Sequence, residues 1–217
     1  MHISASLLSA DPLNIAAEIA MLTDIGVDSL HVDIMDGHFV PNIAFGIDTV
    51  KCISENSLIP INVHLMVANP SQFIDMLVHR NVECVIIHRE ICGEIEEILK
   101  KIKTSGTKAG IAINPETEVC EIEAYMKLVD FVLIMGVSPG FSGQQLVTQT
   151  LNKVAKIKSI RNNVIVGIDG GINDKTAILA NKEKVDILVA GSYLFDCATC
   201  NRVDTIKEKL RKLCQYR

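Results

Sequence analysis

Short apolar runs alternate with longer amphipathic segments along the whole chain. The runs are rich in β-branched residues, and several are apolar without interruption, as at residues 85–87 and 131–134. Continuous apolarity is typical of parallel strands that are covered on both faces. We therefore predict eight strands, at residues 3–8, 29–35, 61–66, 83–88, 109–113, 131–135, 164–168 and 185–190.

The segments between these runs carry helical spacing. Asp11 and Pro12 predict a helix start, as an N-cap residue followed by a proline in the first helical position. Ile15, Ile19 and Leu22 would then share one face of that helix, with the next glycine as a stop signal. The same spacing predicts further helices around residues 95–102, 147–154 and 203–213.

The rhythm of the chain favours one architecture. Eight units in 217 residues leave about 27 residues for each, which accommodates a strand of ~5 residues, a helix of ~11 and two short loops. This predicts an α/β protein, a (β/α)8 TIM barrel of eight parallel strands with outer helices. A doubly wound open sheet has the same local pattern and is the alternative. Because no linker or low-complexity segment interrupts the chain, we expect one domain over residues 1–217.

Composition and charge restrict the partners. The formal net charge of −5 leaves no basic excess to neutralise nucleic acid. No apolar run approaches the ~18 residues of a transmembrane helix, and the N-terminus lacks the features of a signal peptide. The odd number of cysteines, 7, suggests free thiols in a reducing cytoplasm. Cys197 and Cys200 form an isolated Cys-x-x-Cys, which we interpret as a chance spacing because a zinc site needs a second pair.

Four polar side chains lie at predicted strand ends. In a barrel, the C-terminal ends of the strands carry the active site. His31 and Asp33 alternate on the second run, His64 lies near the end of the third, and Asp169 follows the seventh. Taken singly, each can be a hydrogen-bonded core residue, because a buried polar group without a partner costs several kcal/mol. Together, two imidazoles and two carboxylates at one end of a barrel predict a divalent transition metal such as Zn, Fe, Mn or Co.

Three methionines would converge beneath the same site. Met35, Met66 and Met135 each lie at the end of a predicted strand. Methionine is often a flexible filler of cores, and that is one interpretation. The other is a water-free, polarisable floor beneath a reacting carbon.

Glycine-rich segments follow the last three predicted strands, at residues 136–144, 170–171 and 191–192. Glycine lets main-chain N–H groups approach a ligand closely, and barrels often bind phosphate with the loops after strands 7 and 8. None of these segments contains Lys or Arg, so a phosphate would be held by backbone dipoles and by the Ser192 hydroxyl. A tight turn would explain any one of them alone.

Several motifs together resemble the ribulose-phosphate 3-epimerase family. HVDIMDGHFVPN at residues 31–42 resembles a long and specific signature of that family. VHLM at 63–66, PGFSGQ at 139–144, DGGI at 169–172 and VAGS at 189–192 resemble its other motifs, so the resemblance covers about residues 3–195. It implies a (β/α)8 barrel of the pentose phosphate pathway that interconverts D-ribulose 5-phosphate and D-xylulose 5-phosphate.

The resemblance also implies roles for individual residues. One divalent metal would be bound by His31, Asp33, His64 and Asp169, and Asp33 and Asp169 would also be the catalytic acid/base pair. The residues that would contact the substrate are Ser6, Met35, His64, Met66, Met135, Gly140, Phe141, Ser142, Gly143, Gly170, Gly171, Gly191 and Ser192.

The chain departs from the family's usual pattern at Ala5, Gly136, Ser138 and Ser142. No metal ligand or base is changed, so these departures bear on substrate choice more than on reaction type. A six-carbon substrate such as D-allulose 6-phosphate therefore remains an alternative, as does a sugar-phosphate-binding barrel without catalysis. A decarboxylase-like barrel would need a lysine among the strand-end carboxylates, and none is present there. The apolar loop at 36–42 is interpreted as a mobile cover or as an interface of a homo-oligomer.

Overall fold

A computed structural model describes residues 1–78, 80–196 and 202–215. Within these residues there are nine strands: β1 His2–Ser6, β2 Ser29–Asp36, β3 Ile43–Ala44, β4 Ile61–Met66, β5 Val82–His88, β6 Lys108–Ile113, β7 Phe131–Met135, β8 Ile165–Asp169 and β9 Ile187–Ala190. Eight of them correspond to the predicted strands. The ninth, β3, is a two-residue strand that pairs antiparallel with the end of β2.

The eight long strands close into a parallel barrel. Each pairs in parallel with its neighbour in the order β1, β2, β4, β5, β6, β7, β8 and β9, and β9 pairs back onto β1. An open doubly wound sheet would have two edge strands, each paired on one side only, so this closure confirms the (β/α)8 barrel over the alternative.

The helices surround the barrel. They are α1 Ile15–Ile25, α2 Ile47–Asn56, α3 Ile74–Leu77, α4 Ile95–Thr104, α5 Asn152–Ile160, α6 Asp174–Lys182, α7 Ser192–Phe195 and α8 Arg202–Cys214. Short 3-10 segments lie at Leu7–Ser9, Pro70–Gln72, Val119–Tyr125 and Thr148–Leu151. After β6 the connection is therefore a 3-10 segment and not an α-helix. None of the described helices is long and apolar enough to cross a membrane.

Several predicted boundaries were wrong. β1 ends at Ser6, because the chain turns into a 3-10 segment over Leu7–Ser9. β9 begins at Ile187, since the N–H of Val185 donates to the carbonyl of Ala180 at the end of α6. The helix predicted to start at Pro12 starts at Ile15.

The side chain of Asp11 explains the late helix start. Its carboxylate accepts the N–H of Leu13 at 3.0 Å and the amide of Asn14 at 2.8 Å, which closes a separate turn before the helix. Two residues predicted for buried helix faces are exposed: Val147 precedes its helix and is 42% exposed, and Val203 in α8 is 44% exposed. The Cys197 and Cys200 pair lies outside the described residues.

Alternation along β2 separates the core from the site. Leu30, Val32 and Ile34 belong to the apolar layer that packs against the helices. His31 and Asp33 are equally buried but lie on the other face, inside the barrel. The parity of one strand thus brings polar side chains into the mouth of the barrel.

Candidate metal centre and substrate cleft

The four predicted metal ligands converge at the mouth of the barrel. His31 Nε2 lies 3.2 Å from Asp33 Oδ1 and 3.7 Å from Asp169 Oδ2. His64 Nδ1 lies 3.0 Å from Asp33 Oδ1, because these two residues are in register on neighbouring strands β2 and β4. One ligand atom from each of the four residues lies within 4.8 Å of the others. Asp169 arrives from β8, which is separated from β2 by β1 and β9.

The geometry and the burial of this cluster fit a divalent cation. Ligand atoms bound at about 2.0–2.2 Å around one ion are roughly 3–3.5 Å apart when they are neighbours in the coordination shell. His31 Nε2 is buried and has no hydrogen-bond partner among the described residues. An unpaired buried polar atom costs about 1–3 kcal/mol, and coordination of a cation would remove that cost. The mixed imidazole and carboxylate set suits a transition metal.

Burial and mutual charge separate the acid–base properties of the two carboxyl groups. Burial raises the pKa of Asp169 to about 7, against the attraction of His31, and the charge of Asp33 acts in the same direction as burial. Burial also disfavours the charge of Asp33, but His31 and His64 outweigh it and hold the pKa of Asp33 well below its usual range. The two carboxyl groups of the centre therefore differ in their readiness to carry a proton.

The two imidazoles differ in the same way. Burial acts to lower the pKa of His31, but Asp33 and Asp169 outweigh it and raise the pKa above its usual value. Burial lowers the pKa of His64 to about 4, so this imidazole is neutral at neutral pH. A neutral imidazole is the form that binds a metal.

A small cleft lies over Asp33 and Asp169, which are part of its lining. Every predicted substrate-contacting residue lines it except His64, which is fully buried beneath it. The lining residues from the prediction are Ser6, Met35, Met66, Met135, Gly140, Phe141, Ser142, Gly143, Gly170, Gly171, Gly191 and Ser192. The described residues that line the cleft include neither Lys nor Arg.

The tightest of the glycine turns is at Gly171. Its φ of +68° lies in the left-handed region, and a Cβ there would overlap the backbone of Leu146. A residue with a side chain would have to push the segment around Leu146 away from the cleft. Gly171 is therefore required by the close approach of two loops as well as by its backbone conformation.

The loop at 36–42 contacts residues that line the cleft. The Asp36 carboxylate accepts the N–H groups of His38 at 2.8 Å and of Ala68 at 2.8 Å, which ties the loop to the segment after β4. Asn42 Nδ2 donates to the carbonyl of Gly140 at 2.7 Å. Val40 packs with Met35 and Met66, two of the three predicted methionines, while Met135 packs in a separate apolar cluster.

Sequence reasoning missed Ser9 and assigned no role to His88 and Glu90. Ser9 Oγ is buried without a partner among the described residues and lines the cleft. We predicted a strand through Leu8, whereas the chain forms a 3-10 segment over Leu7–Ser9, and this segment brings Ser9 to the cleft. His88 was recognised as a strand end, and the His-x-Glu spacing with Glu90 was the signal available for the second residue.

The fold and the site together define a class, a (β/α)8 barrel with a candidate divalent-metal centre at its mouth. Residues 2–195 match the profile of the Ribulose-phosphate 3 epimerase family. The chain belongs to the ribulose-phosphate 3-epimerase family, and it is an isomerase of the epimerase type.

Individual relatives match over almost the whole chain. The ribulose-phosphate 3-epimerase of Helicobacter pylori strain J99 is 38% identical, over 90% of this chain and 91% of its own length. That of Bacillus subtilis is 35% identical, over 90% and 92%. That of Chlamydia pneumoniae is 34% identical, over 94% and 92%.

Solved structures support the fold alone. A tryptophan synthase α-subunit from Pyrococcus furiosus superposes with a TM-score of 0.73 at 15% identity, covering 98% of this chain and 97% of that one. At this level of identity the similarity concerns the barrel and not its chemistry.

Proposed function

We propose that this protein inverts C3 of a ketose phosphate and interconverts D-ribulose 5-phosphate and D-xylulose 5-phosphate. The observation that carries the proposal is the convergence of His31, Asp33, His64 and Asp169 beside the glycine-lined cleft. The relatives are ribulose-phosphate 3-epimerases, which agrees with this substrate.

The glycine-rich side of the cleft would hold the phosphate. Residues 140–143, Gly170–Gly171 and Gly191–Ser192 bring main-chain groups and the hydroxyls of Ser142 and Ser192 to the cleft, without a cationic side chain. Gln144 Nε2 donates to the carbonyls of Ser138 and Phe141 at 2.8 and 2.9 Å, which fixes the first of these loops. Phosphate held there would orient the sugar towards the carboxylates, converting binding energy into positioning.

Two carboxylates would move the proton. Inversion through a planar intermediate needs a proton to leave one face and to return on the other, which one base cannot easily serve. Asp33 and Asp169 come from strands separated by two others and flank the same centre. The hydroxyl of Ser6 donates to Asp33 Oδ2 at 3.0 Å and so fixes the orientation of that carboxylate. The methionine floor would keep bulk water away from the reacting carbon.

His31, Asp33, His64 and Asp169 would hold the cation, with Zn, Fe, Mn and Co as candidates. When bound, a divalent ion supplies Lewis-acid stabilisation of the negative charge that develops on the substrate oxygen beside the reacting carbon. We place the reaction within a single catalytic domain over residues 1–217. A reducing cytoplasm agrees with cysteines 52, 84, 92 and 120, which are free thiols among the described residues.

Hydrogen exchange at C3 in D2O tests the two-base assignment. Asp169→Asn should still exchange the C3 hydrogen of the epimer that Asp33 can reach, without forming the other epimer at a comparable rate. Asp33→Asn should show the reverse preference, and net turnover should fall by about 10²- to 10⁴-fold in each. Metal content is measured first, because both residues are also proposed ligands. A metal-replete single variant that exchanges both epimers equally would support one base instead of two.

Substrate comparison tests the remaining alternatives. We expect a higher kcat/KM for D-ribulose 5-phosphate than for D-allulose 6-phosphate, and little turnover of free ribulose. A reversed order would assign the six-carbon substrate. Tight binding of both phosphates without any turnover would indicate a sugar-phosphate-binding barrel and contradict catalysis.

A further inference from the structure

A chain of hydrogen bonds leads from the candidate metal centre into the protein. His64 Nε2 lies 2.9 Å from His88 Nε2, and His88 Nδ1 lies 2.9 Å from Glu90 Oε2. Both imidazoles are fully buried, and the ring of Phe39 lies 4.7 Å from that of His88 between centroids. We propose that Glu90 and His88 are positioning residues that keep the proton of His64 on Nε2, and so leave its Nδ1 free to bind the metal. The inference rests on the metal centre of the proposed function.

Glu90 is itself held firmly. Its Oε1 accepts the N–H of Asn114 at 2.8 Å and a short hydrogen bond from the hydroxyl of Thr117. That loop is held in turn by the ammonium of Lys153, which donates to three of its carbonyls at 2.8 Å each. Burial disfavours the charge of Glu90, but the hydrogen bonds from His88, Asn114 and Thr117 outweigh it and lower its pKa to about 2. Glu90 is therefore a fixed carboxylate at neutral pH.

The carboxylate determines the direction of every proton in the chain. An ionised carboxyl group only accepts hydrogen bonds, so His88 Nδ1 must donate. A His88 ring that carries only this one proton has a lone pair on Nε2, which accepts from His64. The proton between the rings consequently belongs to His64 Nε2, which leaves a lone pair on His64 Nδ1.

This proton arrangement favours the binding of a cation at the candidate metal centre. His64 Nδ1 and Asp33 Oδ1 are 3.0 Å apart, and in this arrangement both are acceptors. Two lone pairs at that distance repel each other unless a positive ion lies beside them. In the reverse arrangement His64 Nδ1 would donate to Asp33, and its nitrogen would be closed to a metal. Partners of this kind behind a ligating histidine typically contribute 10- to 100-fold to metal affinity.

Glu90→Gln should reverse the direction of the hydrogen bonds and keep the shape of the side chain. The glutamine oxygen can still accept from the loop, but its NH2 group then faces His88 Nδ1. This amide donor requires a lone pair on His88 Nδ1, so the proton of His88 moves to its Nε2. His88 Nε2 then donates to His64 Nε2, and the proton of His64 moves to its Nδ1. We expect the affinity for Zn²⁺ and Co²⁺, measured by competition with a chromophoric chelator, to fall roughly 10- to 100-fold.

Glu83→Gln is the matched control. Glu83 is on the same strand, β5, at the opposite end, and its carboxylate pairs with exposed Lys108. Its metal affinity should remain within about two-fold of wild type, since the loss of an exposed charge has small effects. An equal loss in both variants would assign the effect to net charge and would overturn the inference.

Two substitutions of His88 separate hydrogen bonding from packing. Glutamine offers a carbonyl that can accept from His64 Nε2, whereas leucine fills the space without an acceptor. We expect His88→Gln to retain more metal affinity than His88→Leu. Equal affinities in two folded variants would show that the imidazole acts only by packing.

Imidazole ¹⁵N NMR supplies a readout that is independent of turnover. In the wild-type protein, before and after Zn²⁺ is added, His64 should carry its proton on Nε2 and His88 on Nδ1. Both positions should be exchanged in Glu90→Gln. A wild-type His64 protonated on Nδ1, or a Glu90→Gln protein that binds metal within about two-fold of wild type, overturns the inference. A wild-type protein that binds no metal contradicts the proposed function, while the proton positions still decide the role of Glu90.

Discussion

Gly136 lies where the end of β7 touches the end of β8, and an added methyl group there should disturb both the fold and the site. Its N–H donates to the carbonyl of Asp169 at 2.6 Å. A Cβ on Gly136 would lie 2.5 Å from Leu146 Cδ1 and 2.7 Å from the carbonyl oxygen of Gly170. Real Cβ atoms essentially never make contacts below 3.0 Å, so the neighbours must move.

The magnitude follows from which neighbours can move. The end of the Leu146 side chain can rotate away, but the Gly170 carbonyl is backbone, and the Asp169 carbonyl oxygen would also lie only 3.2 Å from the added Cβ. Overpacking of this kind costs roughly 1–3 kcal/mol. Since each kcal/mol shifts the Tm of a chain of this length by about 2–4 °C, Gly136→Ala should lower the Tm by roughly 2–12 °C. A displacement of about 1 Å at a reacting group can cost 10²-fold, so kcat/KM should fall by at least about ten-fold.

The assay compares thermal melts and kcat/KM with those of Gly46→Ala. Gly46 has a φ of −82° and no atom within 4 Å of an added Cβ, so the same substitution should change its Tm little. Adding Leu146→Ala to Gly136→Ala should restore part of the stability but little of the activity, because the contact with Gly170 remains. A Gly136→Ala protein with a Tm within about 1 °C and a kcat/KM within two-fold of wild type would refute this reasoning.

Three further perturbations have separate outcomes. Chelation should abolish turnover and lower the Tm, and Zn²⁺, Mn²⁺, Fe²⁺ or Co²⁺ should restore both. Metal at 100 times its Kd adds about 2.7 kcal/mol to the free energy of unfolding. Full activity in verified metal-free protein would contradict the metal's role. Ser9→Ala should raise the KM for the ketose phosphate and leave the Tm unchanged or higher, because it removes a buried hydroxyl that has no partner among the described residues; an unchanged KM would show that the hydroxyl does not meet the substrate. Lys153→Met should lower the free energy of unfolding by about 2–4 kcal/mol, because three charged hydrogen bonds are lost. The control Lys156→Met, at an exposed lysine, should change the free energy of unfolding by less than about 0.5 kcal/mol. Equal losses in the two variants would show that the Lys153 ammonium has no structural role.

The barrel strands were predictable because a strand that is buried on both faces has a continuously apolar sequence. β4 and β7 begin and end at the predicted residues, since a strand buried on both faces shows its limits in composition. The convergence of the candidate metal ligands was predictable for a related reason: parity placed His31 and Asp33 on one face of β2, and the barrel places all strand ends at one mouth.

The connections were harder to predict because short polar side chains serve several local structures. Asp11 has the composition of an N-cap, yet the same carboxylate closes a turn, and only the positions of Leu13 and Asn14 distinguish the two. The segment Val119–Tyr125 forms a 3-10 helix with a capping box between Glu118 and Glu121, a motif usually associated with α-helix starts. In each case the same polar side chains are compatible with more than one backbone conformation.

The connection between His64 and Glu90 shows where strand patterning stops being informative. His64 is in register with Ile86, so His88 lies two residues further along β5 and therefore on the same face. That proximity follows from parity and register, which a sequence pattern can indicate. The identity of the donor in the bond between His64 and His88 does not, because it depends on a carboxylate beyond the end of the strand and on the loop at 114–117 that orients it. In the proposed arrangement, a loop after β6 thus determines the proton position of His64 on β4, and Glu90, outside the cleft, controls which nitrogen of this candidate ligand carries a lone pair.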